Sequence, residues 1–207
     1  MYTKCVEKVE IKVYNGEGKI KNRPGGMKMK VLILNGSPRE GNTCVAANAM
    51  KKGMEQAGGF EVKEIKAADV AVSACIACGA CSCDSKCVFD DDSNDVMDAI
   101  EVADAVIFAT PVYWWGMTSQ LKLIVDKMYS RYMKGSFTQK KVGVVVIGEA
   151  DQDDPQYEII PKQFECICGC VGWEMAFCKT YTAGEAGVLA ENEIAVKELE
   201  TIWKKLK

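Results

Sequence analysis

The 207-residue chain contains no histidine. This absence excludes Ser-His-Asp and Cys-His catalysis, zinc sites with histidine ligands, and any histidine acting as a general base. The groups left for chemistry are carboxylates, thiolates, lysine and tyrosine, or a bound cofactor that brings its own reactivity.

The chain also lacks a basic excess and a long apolar run. Its 26 Lys and Arg residues face 29 Asp and Glu residues, and the basic ones are scattered, so we expect no nucleic-acid binding. No run approaches the roughly 18 apolar residues of a membrane-spanning helix. The N-terminus carries Lys4, Glu7, Lys8 and Glu10 and has no apolar signal-peptide core. We therefore expect a cytoplasmic protein without a membrane partner.

Cysteine, by contrast, is abundant, with eleven residues. In a cytosolic chain so many thiols indicate metal or redox chemistry rather than disulfides. The length and the 48% hydrophobic content suit one domain with a sizeable core. We predict that this domain spans residues 29–207. Residues 1–28 read as an N-terminal extension, in which Asn15-Gly16 favours a hairpin and residues 22–26 a linker.

The stretch MKVLILNGSPREGNT, residues 29–43, is the first informative segment. Its short apolar run, 30–34, predicts a strand that is buried on both faces. The turn that follows supplies hydroxyl, amide and cationic groups from Ser37, Arg39, Asn42 and Thr43. A helix beginning near Thr43 would add unpaired backbone N–H groups, so the segment predicts a phosphate-binding loop. The alternative is an ordinary strand-to-helix turn with Thr43 as N-cap.

Short apolar strands then alternate with helical patterns along the rest of the chain. We predict strands at 30–34, 60–65, 105–109, 142–147 and 173–178, and helices at 44–57, 95–102, 120–133, 156–170 and 188–206. Such alternation predicts an α/β fold with a parallel sheet and helices on both faces. Five strands indicate a flavodoxin-like doubly wound sheet of order 2-1-3-4-5. Ligands of such sheets bind at the carboxyl ends of strands one and three.

The second informative segment follows the third predicted strand. It places Tyr113, Trp114 and Trp115 between Pro111 and Gly116. At the switch point of the sheet, such a loop suits a flat aromatic ligand, because rings stack and backbone amides reach its polar edge. An aromatic cluster of the core is the alternative. A phosphate loop and an aromatic loop together point to FMN, which has both parts.

The pair GSPREGNT and ATPVYWWGMTSQLKLIVDKMY resembles the NADPH-dependent FMN reductase and iron-sulfur flavoprotein group of flavodoxin-like proteins, over about residues 29–180. This resemblance implies that the FMN phosphate is held by Ser37, Arg39, Asn42 and Thr43. It implies that the isoalloxazine ring is lined by Pro111, Val112, Tyr113, Trp114 and Gly116. A loop beginning at Gly148 would close over the flavin. The resemblance also implies NAD(P)H as a donor and a homodimer or homotetramer.

The third segment is a compact cysteine loop within residues 75–92. Three thiols separated by two-residue gaps, and a fourth after five residues, can wrap a 4Fe-4S cluster; they are Cys75, Cys78, Cys81 and Cys87. The spacing resembles that of iron-sulfur flavoproteins. Cys83 is a spare candidate, but its single-residue gap from Cys81 strains convergence. A four-cysteine zinc site and plain or regulatory thiols are the alternatives.

These segments predict an FMN-dependent oxidoreductase that passes electrons between a two-electron and a one-electron couple. Because the cysteine loop leaves strand two, next to strand one, we expect cluster and flavin at the same end of the sheet. The redox partner would be a small molecule or a ferredoxin-like protein. Two alternatives remain open: a clusterless NAD(P)H-dependent flavin, quinone or azo reductase, and a non-enzymatic electron carrier or thiol- or metal-responsive binding module.

Overall fold

The computed structural model of the chain describes residues 27–84, 86–133 and 135–207. The hairpin and linker predicted within residues 1–28 lie outside these ranges. Within them, no helix is both long enough and apolar enough to cross a membrane.

Five parallel strands form one sheet in the predicted order β2-β1-β3-β4-β5. The strands are β1 (Met29–Asn35), β2 (Phe60–Lys66), β3 (Ala105–Pro111), β4 (Lys141–Gly148) and β5 (Glu174–Thr182). Leu34 of β1 lies opposite Ile65 of β2 on one side and Phe108 of β3 on the other. The chain thus changes direction across the sheet at β1 and β3, as in flavodoxin-like proteins. The predicted fold class is confirmed.

Helices cover both faces of this sheet. They are α1 (Asn42–Ala57), α2 (Cys81–Asp84), α3 (Ser93–Val102), α4 (Ser119–Lys127), α5 (Tyr129–Tyr132), α6 (Gln156–Val171) and α7 (Glu193–Thr201). Met50 and Leu199, from α1 and α7, join the apolar layer on one face. Ile100, Ile124 and Phe164, from α3, α4 and α6, join the layer on the other. Burial on both faces explains why the central strands are continuously apolar.

Two helices predicted as continuous are interrupted. The helix predicted at 120–133 divides at Met128, whose N–H donates to Val125 O in a tighter turn, 3.1 Å. The helix predicted at 188–206 begins with a 3₁₀ turn, Val188–Glu191. It restarts as α7 because the Asn192 side chain accepts the Ala195 N–H at 3.0 Å and caps the new helix.

Candidate functional site

The two predicted binding segments meet in one cavity of about 180 Å³ at the carboxyl ends of β1 and β3. Most of the predicted cofactor residues line it: Ser37, Arg39, Asn42, Thr43, Pro111, Val112, Tyr113 and Gly148. Trp114 and Gly116 lie outside this lining. Ala183 and Gly184, which follow β5, complete the wall. The sequence analysis did not predict these two residues. Their position directly after a strand of a parallel sheet could have indicated them, because ligands bind at the carboxyl ends of such strands.

Hydrogen bonds fold the loop after β1 back on itself. The Ser37 N–H donates to Asn35 Oδ1 at 3.0 Å, and Ser37 Oγ donates to Arg39 O at 2.7 Å. Ser37 is buried, whereas Arg39 is exposed at the rim of the cavity. The loop therefore presents a cation at the rim and a hydroxyl, which can rotate to a new acceptor, inside it.

Helix α1 starts directly at the cavity. It begins at Asn42, after an extended Gly41 that provides no side-chain cap, so the alternative assignment of Thr43 as N-cap is wrong. The Val45 N–H donates to Gly41 O at 3.1 Å, a hydrogen bond of the helical type. The N–H groups of the three residues before Val45 have no acceptor within the helix. Thr43 is only 2% exposed. The N–H groups of a first helical turn and the helix dipole both favour an anion at this end, in line with the predicted phosphate site.

Asn42 shapes this end of the helix through its side chain. Its Nδ2 donates to Ala183 O at 2.9 Å and to Glu185 O at 2.7 Å, and its Oδ1 accepts the Leu189 N–H at 3.0 Å. The hydrogen-bonding groups of the carboxamide are thus used by the segment after β5. Its predicted role in phosphate binding is left to its backbone N–H.

The aromatic loop after β3 is a tight turn. Tyr113 and Gly116 exchange backbone hydrogen bonds of 2.9 and 3.0 Å, and both residues between them have positive φ, 47° at Trp114 and 57° at Trp115. Hairpin turns with two positive φ values normally use Asn and Gly, and bulky residues there are strained by roughly 1–2 kcal/mol each. Trp114 is nevertheless 91% exposed. Backbone strain of this kind is typical of binding sites, so it supports the predicted role of the turn.

Two side chains fix this turn to its neighbours. Trp115 Nε1 donates to Asp154 Oδ1 at 3.0 Å, and the same oxygen accepts the Gln156 N–H at 2.9 Å. Thr118 Oγ1 donates to Gly36 O at 2.7 Å and so joins the aromatic loop to the loop after β1. A Cβ at Gly36 would come within 3.0 Å of Thr118 Oγ1, which explains the glycine.

The loop after β4 also lies close to the site. A Cβ at Gly148 would come within 2.7 Å of Gln156 Nε2 and 2.8 Å of Tyr157 OH. The Tyr157 hydroxyl in turn donates to Ala150 O at 3.0 Å. Glycine at position 148 therefore allows α6 to approach the carboxyl end of β4.

All four predicted metal ligands line a second cavity, of about 440 Å³; they are Cys75, Cys78, Cys81 and Cys87. Cys83 lies outside this lining, in keeping with the preference for Cys87. Burial raises the pKa of the Cys81 thiol, and the nearby sulfurs of Cys78, Cys75 and Cys87 raise it further. The four side chains thus share one cavity.

Within the described ranges, no group of three or more His, Cys, Asp or Glu side chains is arranged to hold a single metal ion. The four-cysteine zinc site and the plain thiols stay alternatives to the 4Fe-4S cluster.

Carboxylates close the base of the cysteine loop. Asp91 accepts the Ser73 and Ser93 N–H groups, both at 2.9 Å, and Asp92 accepts the Ala71 N–H at 2.7 Å. Burial raises the pKa of Asp91, but the hydrogen bonds from the two serines outweigh it and lower the pKa to about 2. The Asp91 carboxylate is therefore ionised at neutral pH and holds the two ends of the loop together.

Lys127 and Asn94 position Cys87. Lys127 Nζ donates to Cys87 Sγ at 3.1 Å and lies 4.4 Å from the centroid of the Phe89 ring. Asn94 donates to Cys87 O and accepts the Cys87 N–H, both at 2.9 Å. Sequence reasoning missed both residues. The signal for Lys127 was its place three residues after Ile124, on the buried side of the helix.

Helix α4 connects the two cavities. Thr118, before its first residue, contacts the loop after β1, and Lys127, its last residue, lines the cysteine cavity. The intervening residues rise about 12 Å along the helix axis. The expectation that both sites share one end of the sheet stays a prediction: the base of the cysteine loop follows the carboxyl end of β2, and the cysteine cavity extends to the last residue of α4.

The sheet order and the cavity at its switch point define a flavodoxin-like protein. The family model described as NADPH-dependent FMN reductase matches residues 29–161, and the chain belongs to this family. This confirms the resemblance inferred from the two loops.

Curated relatives carry a more specific name. An iron-sulfur flavoprotein of Archaeoglobus fulgidus is 33% identical over 120 residues, 58% of this chain and 54% of that protein. One of Methanosarcina thermophila is 33% identical over 120 residues, 57% of this chain and 62% of that protein. The chain thus spans little more than half the length of these relatives.

A solved structure supports the fold alone. The NAD(P)H:quinone oxidoreductase from Methanothermobacter marburgensis superimposes with a TM-score of 0.67 at 16% sequence identity. The match covers 87% of this chain and 96% of the other.

Proposed function

We propose that the chain binds FMN, with the phosphate at the start of α1 and the isoalloxazine ring against the turn from Tyr113 to Gly116. One observation carries this proposal: two segments distant in sequence form a single cavity at the carboxyl ends of β1 and β3. Membership of the NADPH-dependent FMN reductase family supports the same ligand.

The phosphate end follows from the donors available. Backbone N–H groups of α1, the Ser37 and Thr43 hydroxyls and the Arg39 guanidinium surround one space. Hydrogen bonds to a charged oxygen are stronger than those between neutral groups. Several donors at one helix start would therefore hold a phosphate without a glycine-rich dinucleotide fingerprint.

The ring end follows from the size of the cavity. Its volume of about 180 Å³ is below the roughly 300–1,000 Å³ of pockets that enclose a whole ligand. The phosphate and sugar chain fill such a space, and the ring lies outside it against the exposed aromatic turn. We propose a homodimer or homotetramer in which a second copy covers this face.

For the cysteine cavity we propose a 4Fe-4S cluster on Cys75, Cys78, Cys81 and Cys87. Support comes from the shared cavity, the hydrogen-bonded loop base and the name of the relatives. The protein contributes the thiolates, the loop that spaces them and the apolar Phe89 beside them.

The activity we propose is that of an FMN-dependent oxidoreductase that takes electrons from NAD(P)H. FMN held by the loop after β1 and the aromatic turn would supply two-electron hydride chemistry with one-electron release, and a cluster on the four cysteines would supply one-electron transfer. In this proposal the two sites lie along α4, and the aromatic turn lines the ring. A small molecule or a ferredoxin-like protein would receive the electrons. A clusterless flavin, quinone or azo reductase is the second candidate, because the two cavities do not share a wall residue.

Anaerobic mixing of the purified protein with NADPH, and separately with NADH, tests this activity. We expect the flavin absorption to bleach first and the broad iron-sulfur absorption to follow. Flavin bleaching and acceptor reduction in a protein without iron would leave the clusterless reductase. Bound FMN that neither nucleotide reduces, with no acceptor turnover, would identify an electron carrier instead.

A further inference from the structure

Lys127 is a buried cation whose partners are unusual. The residue is 3% exposed, and its Nζ contacts the Cys87 sulfur and the Phe89 ring. None of the ion pairs formed between described residues includes it. Lys122, on the same helix, is exposed and pairs with Asp126. Lys127 therefore lacks the carboxylate that a buried ammonium ordinarily requires.

A neutral thiol and a ring compensate poorly for a buried charge. A thiol sulfur is a weak acceptor, and a cation–π contact replaces only part of the lost hydration. Burial of an ionised group is tolerated when it is paired with an opposite charge. Thiolates and the cluster that they ligate carry net negative charge. The site proposed for the cluster thus supplies the missing counter-charge for Lys127.

We propose that Lys127 tunes this centre: its ammonium group donates to Cys87 Sγ and raises the reduction potential of the cluster. This inference rests on the proposed cluster. Hydrogen bonds to the sulfurs and nearby charge are recognised determinants of cluster potential. An added electron makes the cluster more negative, so a fixed positive charge stabilises the reduced form more than the oxidised form. Phe89 keeps the ammonium beside the sulfur.

The test compares K127M, K127Q and K127R with the wild-type holoprotein. K122Q is the matched control, because it removes one positive charge from the exposed side of the same helix. Iron, sulfide and FMN are measured first, and the midpoint potentials of cluster and flavin are then obtained by redox titration monitored by electron paramagnetic resonance and absorption.

We expect the two neutral variants to make cluster reduction about tenfold less favourable, which lowers the potential by about 59 mV for a one-electron couple. K127R, which keeps the charge, should change the equilibrium by less than about threefold, and K122Q should match the wild type. The flavin potential should remain near that of the wild type in all variants. Loss of the cluster in both neutral variants, with FMN kept and K127R intact, would support the same conclusion.

Four results would overturn the inference. If the reduction potential of the cluster were unchanged in K127M and K127Q, the inference about Lys127 would be wrong and the proposed function would stand. A shift of equal size in K122Q would show an effect of net charge alone, and loss of the cluster from K127R as well would show a packing role. Wild-type protein without iron would refute the cluster itself, and the inference with it.

Discussion

Trp115 Nε1 donates a hydrogen bond to Asp154 Oδ1, and this 3.0 Å contact ties the aromatic turn after β3 to the start of α6. The same carboxylate oxygen accepts the Gln156 N–H. An acidic residue of the segment after β4 thereby serves to hold a strained turn. The geometry of the proposed flavin site depends on this contact.

Asp154→Ala should weaken FMN binding several-fold, because the turn that lines the ring loses its anchor. A hydrogen bond to a charged group contributes roughly 1.5–3 kcal/mol. Because this bond holds the turn and does not contact FMN, we expect the loss of FMN binding free energy to be smaller. Flavin fluorescence titration measures the affinity. Asp153→Ala, a neighbouring exposed carboxylate, is the control and should bind like the wild type. Equal affinities in all three proteins would show that the anchor is irrelevant to binding.

Ser37→Ala combined with Thr43→Ala should reduce FMN affinity by two or more orders of magnitude. Each hydroxyl would lose a hydrogen bond to a charged oxygen, at roughly 1.5–3 kcal/mol. Equilibrium dialysis with FMN and with riboflavin, which lacks the phosphate, separates the contribution of the phosphate to the binding free energy from that of the ring and its side chain. Riboflavin binding should change little, and Thr201→Ala should leave both affinities unaltered. Unchanged FMN affinity in the double variant would show that this loop does not bind the phosphate.

Gly148→Ala should destabilise the protein by about 1–3 kcal/mol, because the added methyl group meets the Gln156 amide and the hydrogen-bonded Tyr157 hydroxyl. Gly169→Ala is the matched control, since nothing lies within 4 Å of a Cβ there. In a helix interior it should stabilise by roughly 0.5–1 kcal/mol. Urea unfolding monitored by circular dichroism measures both. Equal stabilities would mean that α6 does not pack against the end of β4.

Asp91→Asn should lower the free energy of unfolding and the iron content, because the base of the cysteine loop loses its carboxylate. The pKa of about 2 lies below the ordinary value of 3.8, so the contribution is complete above about pH 4 and is lost only as pH falls through about 2. The deficit against the wild type should therefore be constant from pH 5 to pH 8, as measured by urea unfolding at each of these pH values. Asp90→Asn, on the exposed neighbour, should show no deficit. A deficit that varies over this range would contradict the assigned ionisation.

The sheet could be predicted from sequence because its central strands are short apolar runs between helical patterns. The residues of both loops were accessible for a related reason: Ser37, Thr43 and Tyr113 follow strands that end at the switch point. Local patterns and the topology rule together place such residues.

The remaining features depend on contacts between distant segments. Asn42 looks like a ligand, but its carboxamide is used by residues more than a hundred positions away. The positive φ values of the two tryptophans contradict their intrinsic preferences, so no local rule predicts them. Lys127 reads as an ordinary residue of an amphipathic helix until the cysteine loop packs against it.

The central claim is that the cysteine cavity holds a 4Fe-4S cluster in a protein that also binds FMN. Iron, sulfide, zinc and FMN analysis of anaerobically purified wild type, Cys78→Ala and Cys83→Ala tests it most directly. We predict about four irons and four sulfides with one FMN per chain in the wild type. Cys83→Ala should keep the iron, and Cys78→Ala should lose it while retaining FMN. Stoichiometric zinc, or no metal with four thiols that react freely with an alkylating reagent, would contradict the account.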